Sequence, residues 1–287
     1  MNHFTRIFKA IFVVVSIFLG TVSISAADFV VDGIYYNILS AEDKTCAVTF
    51  AGDTYSSVAD EYEGDVIIPT NVQFNGIEYT ITTIQRYAFG LCKNLSKINL
   101  PNSIISIERA AFTSCTNLFE LVIPEKIKLI TNGLCLNCTS LENIILPEGV
   151  ETIEESAFNK TSISFITLPS STQKIGKSVF NNCANLTKIQ VLAKEPPTIE
   201  TNTFNEKQLA TITLEVPEES LSKYKIDTYW RNFSNIIKFD ISTGVDISLT
   251  EESDIVEYYN ILGVKVENPT KGLYIKKCGG RAYKVML

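Results

Sequence analysis

The sequence predicts a solenoid, mainly β, of stacked parallel strands joined by short helical turns or tight corners. Three observations predict it. One phrase of about 23 residues recurs six times, opening at Ile84, Ile107, Ile130, Ile153, Ile175 and Ile199 in steps of 23, 23, 23, 22 and 24. A step that constant means one structural unit stacked on itself. Each phrase closes in strict alternation: in Lys97-Ile98-Asn99-Leu100-Pro101, Ile98 and Leu100 face one way and Lys97 and Asn99 the other. The proline then ends the pairing, because it has no N–H to donate. Finally, each phrase holds apolar residues that it cannot bury alone, so stacking is what creates a core.

Taken from the N-terminus, residues 1–27 read as a secretory signal. Arg6 and Lys9 supply its positive start, Ala10 to Val22 is apolar, and Ser25-Ala26-Ala27 offers small residues for cleavage. The apolar run is short for a membrane span, and no later segment is as long, so the mature chain carries no transmembrane span. A membrane protein anchored at its start is the alternative. Removing the signal leaves 23 basic against 32 acidic residues, a balance of −9. Such a surface repels phosphate backbones, which excludes nucleic acid as a partner. The single histidine, His3, leaves with the signal. Without it no Ser-His-Asp or Cys-His site and no His-ligated metal can form.

Residues 28–83 read as an N-terminal β-rich cap. Tyr35, Tyr36, Tyr55 and Tyr62 can stack on sugar rings, although cross-strand packing explains them without a ligand. Val66-Ile67-Ile68-Pro69 resembles the end of an earlier strand. Where other copies run six residues from Pro to the next Ile, Pro69 to Ile84 runs 15. The added stretch holds Phe74-Asn75-Gly76-Ile77, a two-residue hairpin signal. A hairpin there would cover the open edge of the first coil.

Residues 84–217 are the six repeats. In the cleanest copy, Ala110-Ala111-Phe112-Thr113-Ser114-Cys115 places Phe and Cys inward at the corner. Copy three has Leu134-Cys135 for Ala-Phe, copy four is one residue short with Thr161 in the Cys slot, and copy six has Lys207 near that slot. Looser packing is expected at these points. Equivalent cysteines on stacked coils lie within disulfide range, but their side chains point the same way, so Cys92, Cys115, Cys138 and Cys183 read as free buried thiols. Cys135-x-x-Cys138 has no second pair to complete a metal site.

Residues 218–239 read as a closing cap. Leu221 and Tyr224 share a helical face, and Trp230 then covers the last coil. The alternative is Trp230 as a ligand platform. Residues 240–254 read as linker and 255–287 as a small β tail, alternating through Tyr258 to Val266 and turning at Asn268-Pro269.

The phrase Ile-x3-Ala-Phe-x2-Cys-x2-Leu-x2-Ile-x-Leu-Pro resembles the leucine-rich repeats of BspA-like surface proteins over roughly residues 64–217. The resemblance implies a leucine-rich-repeat solenoid, α/β to mainly β, with no catalytic activity and no cofactor. It also implies exposure outside the cell, at the outer-membrane surface of a Gram-negative bacterium, and host or neighbouring-cell surface proteins as partners. The tail, with Tyr-Asn-x-x-Gly-x-Lys-Val and then Lys-Gly-x-Tyr-Ile, resembles type IX secretion sorting domains. That likeness implies export and surface attachment; a tail that no longer sorts is the alternative.

Strand residues pointing away from the core form two rows. The first is Lys97, Glu120, Asn143, Phe165, Lys188 and Thr211; the second is Asn99, Val122, Ile145, Thr167, Gln190 and Thr213. Val122, Ile145 and Phe165 make an apolar patch with polar residues on both sides, the pattern of a protein-binding face. Strand propensity alone also explains such residues. The second functional class is a glycan-binding module using the N-terminal tyrosines or the sheet. A glycosidase needs only paired carboxylates, but no acidic pair stands out from the general excess.

Overall fold

A computed structural model describes residues 27–52, 61–239, and the tail strands Glu257–Asn260, Lys265–Val266, Leu273–Cys278 and Arg281–Met286. The expected secretory signal (apart from Ala27), Tyr55 and the expected linker fall outside the described residues.

Each coil contributes two parallel-strand walls. The longer wall is split into two sheets: Gly64–Ile67, Leu95–Asn99, Glu120–Val122 and Asn143–Ile145 form one, and Phe165–Leu168, Lys188–Val191, Thr213–Pro217 and Asn235–Phe239 the other. The second wall is made of two-residue strands at Leu129–Ile130, Thr152–Ile153, Lys174–Ile175 and Thr198–Ile199. Its counterpart in the first coils is the pairing of Ile77–Ile84 with Ser106–Ile107. The third side of the coil is a run of turns instead of a helix. There the backbone alternates: the N–H groups of Ala110, Phe112 and Ser114 donate to the carbonyls of Asn132, Leu134 and Leu136 on the next coil. Those of Thr113 and Cys115 close turns within the coil. Buried backbone polar groups are thereby paired without any strand.

This alternation needs left-handed backbone at two positions per coil. The first is held by Tyr87, Ala110, Gly133, Ser156, Ser178 and Asn202, and the second by Leu91, Ser114, Asn137, Lys160 and Asn182, all with φ between 56° and 64°.

The core is continuous through every coil. Phe89, Phe112, Phe158 and Phe180 are fully buried, and Leu95, Leu118 and Leu141 lie beneath them. Phe89 stacks on Phe112 at 5.2 Å between ring centroids, and Phe180 on Phe204 at 5.3 Å. Copy three interrupts the aromatic stack with Cys135, which is itself fully buried. Packing does not loosen at copy four, contrary to expectation. Thr161 is buried and donates its hydroxyl to the Phe158 carbonyl at 3.0 Å, and Ile163 is fully enclosed. The missing residue acts elsewhere. It shortens the approach to the strand, and the ladder is broken between Asn143–Ile145 and Phe165–Leu168, which lie side by side unpaired. Copy six places Gln208, not Lys207, in the Cys slot. Helix Glu206–Thr211 starts there, capped reciprocally by Asn205 and Gln208.

The N-terminal strands Phe29–Val31, Ile34–Ser40 and Thr45–Thr49 form an antiparallel meander, and Thr45–Thr49 then pairs parallel with Ile77–Ile84. That last strand also pairs with Asn71–Phe74 across Asn75-Gly76, both at positive φ as a two-residue hairpin requires. At the other end Trp230 is fully buried and donates its indole N–H to the Pro197 carbonyl at 2.8 Å. Tyr224 donates to the Ala193 carbonyl at 2.8 Å. The tail strands form a separate four-stranded antiparallel sheet.

Candidate interaction surface

The long-strand wall positions the surface. Successive side chains alternate across a strand, and the burial pattern follows: in Asn143–Ile145 the central Ile144 is buried while Asn143 is exposed and Ile145 half-buried. All ten candidate residues, Lys97, Asn99, Glu120, Val122, Asn143, Ile145, Phe165, Thr167, Lys188 and Gln190, stand on the outward side, exposed or half-buried.

Register shows which of them meet. Val122 lies opposite Ile145, and Glu120 opposite both Lys97 and Asn143. Phe165 lies opposite Lys188, and Thr167 opposite Gln190. The ladder break separates Val122 and Ile145 from Phe165, so the apolar patch straddles two sheets. Phe165 is 39% exposed, and the Lys188 ammonium sits 5.5 Å from its ring centroid. The same ammonium pairs with Glu215 at 2.6 Å. Gln190 donates its amide to the Glu215 carboxylate at 3.4 Å, and Thr167 lies 3.4 Å from the Gln190 carbonyl oxygen. Half-exposed contacts of this kind are worth about 1 kcal/mol or less each, so they orient side chains more than they stabilise the fold.

Two of the row assignments need correction. Lys188 faces Thr213 and Gln190 faces Glu215, so Thr211 is not in the first row and Thr213 is not in the second. Thr211 is the last residue of the helix, which takes up the extra length of copy six before the strand begins. Sequence reasoning also missed the ends of both rows. Asp65 and Ile67 pair with Lys97 and Asn99, and Asn235 and Ile237 pair with Thr213 and Glu215. Ile67 is 68% exposed. The apolar run Val66-Ile67-Ile68 closed by Pro69, like the end of a repeat strand, was the available signal for the first pair. The second has no proline to mark it.

Three of the four candidate sugar-stacking tyrosines lie among the described residues. Tyr36 and Tyr62 are buried in the cap, and the Tyr62 hydroxyl donates to the Thr49 carbonyl at 2.7 Å. Tyr35 is half-buried with its ring edge-on to Tyr62 at 6.4 Å. Among the described residues no group of three or more His, Cys, Asp or Glu side chains could hold a metal ion. No helix of the described residues is long and apolar enough to cross a membrane.

The family model for the BspA type leucine-rich-repeat region matches six copies, over residues 69–187 and 152–253. The chain belongs to this family. BspA-type repeats thus account for the regular wall on which the candidate residues stand. No curated protein matches the chain. Among solved structures it is similar to a leucine-rich repeat protein from Bacteroides ovatus, with 24% identity and a TM-score of 0.54. The match covers 68% of this chain and 57% of that one, so this chain spans less than two thirds of that protein. That likeness shows the fold alone. A leucine rich cell surface protein from Faecalibacterium prausnitzii matches at 19% identity and a TM-score of 0.43, over 67% of this chain and 71% of that one. The pneumococcal vaccine antigen PcpA matches at 17% and 0.45, over 66% and 64%.

Proposed function

We propose that this chain is an exported, surface-displayed solenoid that binds protein partners on the outward face of its long-strand wall. It carries out no catalysis, and its partners are surface proteins of a host or of neighbouring cells. The observation that carries the reading is the pairing of Val122 with Ile145, with exposed Phe165 on the neighbouring strand across the ladder break, an apolar centre on a polar wall. Depleted charge at the centre with polar residues around it is the make-up of a protein interface. Membership of the BspA-type family is consistent with an interaction role. Export is supported by the basic start and apolar run of residues 1–27, and surface attachment by the sorting-like pattern of the tail.

The test is capture of purified surface proteins on an array by the mature chain and by a Val122→Ser, Phe165→Ser double variant. The reading expects the variant to lose capture at least tenfold with an unchanged unfolding curve. Equal capture by both would refute it, and selective retention of a glycan by the wild type would replace it with the glycan-binding alternative.

A further inference from the structure

A second feature lies at the corner between the two-residue strands and the turn wall, away from the strand face. Tyr87 occupies the first left-handed position of its coil, at φ 58°. The equivalent positions hold Ala110, Gly133, Ser156, Ser178 and Asn202, each small or able to adopt that conformation at low cost. A tyrosine there is strained, and strain of this kind collects at functional positions.

What surrounds it is equally selective. The Arg86 guanidinium stacks over the Tyr87 ring, 4.7 Å from its centroid, and an Arg86 Nη donates to the Tyr87 hydroxyl at 3.3 Å. Arg109 takes the place of Arg86 on the next coil, since Ile84 and Ile107 are partners two residues earlier. Hydrogen bonding from Arg86, followed by that from Arg109, holds the Tyr87 phenol below its ordinary pKa. Both arginines are exposed.

Among the described residues every ion pair is made by a lysine, and neither arginine has a carboxylate partner. Glu108, next to Arg109 in the chain, accepts the Arg86 backbone N–H on its Oε2 at 2.8 Å and makes no ion pair with either guanidinium. In a chain of net charge −7, two neighbouring guanidiniums with no ion pair among the described residues are an arrangement that repulsion disfavours. Further along the same row stand Asn132 and then Glu155, so the positive charge of the row ends at Arg109. The basic site is therefore compact.

We propose that Arg86, Tyr87 and Arg109 form a recognition site for a carboxylate on an acidic segment of a partner protein. Guanidiniums present forked donors that match a carboxylate, and Tyr and Arg are the residues in which binding energy concentrates. The site is independent of the strand face.

The test uses the full mature chain and a fluorescently labelled hexaglutamate peptide at low ionic strength, with hexaglutamine as the neutral control. Binding of hexaglutamate and not hexaglutamine is expected. Arg86→Gln with Arg109→Gln should weaken it by about tenfold or more. Tyr87→Ser, the residue of two other coils, should fold with a melting temperature no lower than the wild type and bind more weakly. Equal binding by the double glutamine variant overturns the proposal. So does tighter binding of a sulfated oligosaccharide through the same two arginines.

Discussion

The Cys138 thiol donates to the carbonyl of Phe112, one coil back, at 2.9 Å. Cys115 does the same to Phe89 at 3.0 Å and Cys183 to Phe158 at 3.1 Å. In the sixth coil Gln208 takes over, its side-chain amide reaching the Phe180 carbonyl at 2.8 Å. The recurrent cysteine is thus a small apolar filler that also supplies a donor in a buried turn. Burial holds the Cys115 and Cys135 thiols well above the ordinary value and pushes Cys46 up to about 12.

Cys138→Ala should cost about 1–2 kcal/mol, since the Phe112 carbonyl keeps the Cys115 N–H and is not orphaned. Cys138→Thr, matching the fourth coil, should cost less than the alanine change. Urea unfolding of both variants checks the order. In the folded wild type, a thiol reagent should leave Cys46, Cys115, Cys135 and Cys183 unmodified.

Phe112→Ala should be among the most damaging single changes, at about 3–5 kcal/mol. Its ring is fully enclosed and stacks on Phe89 on one side only, with Cys135 in the aromatic slot of the next coil. Thermal unfolding measures the loss.

Gly176→Ala should destabilise by about 1–3 kcal/mol, although no positive φ is involved. An added Cβ would stand 2.7 Å from the Glu155 nitrogen and 3.0 Å from the Glu154 carbonyl carbon. Both are backbone atoms of the preceding coil, and the Gly176 N–H is already held to the Ile153 carbonyl at 2.7 Å. Something in that ladder must move. Amide exchange around Ile153 and Gly176 would report it.

The cap should carry a pH dependence. Burial pushes the Glu61 carboxyl from an ordinary 4.5 up to about 7, against the opposing donation of the Ala51 N–H. The folded state therefore holds this proton more tightly than the unfolded chain does. Its contribution favours folding most below pH 4.5 and is lost as pH rises to about 7, after which it is constant. Glu61→Gln should flatten the melting temperature over that window and raise it modestly above pH 7. The carboxylate is only half-buried, which keeps the effect small. A wild-type melting temperature that climbs through the window would contradict this.

The spacing of Ile, Phe, Cys and Leu was enough to determine the solenoid, its inward residues and the outward position of all ten candidate side chains. That follows because stacking allows one orientation for an apolar residue repeated at a constant step. Only the tertiary structure decided the registers that local spacing leaves open. A residue lost before Phe165 interrupts the ladder instead of the core, and extra length in copy six becomes a helix that moves Glu215 beside Lys188. The strain at Tyr87 and the hydrogen bonding of Arg86 and Arg109 to its phenol were likewise hidden. Both arise between coils, and hydrogen bonds from one coil to the next set backbone angles that no single phrase specifies.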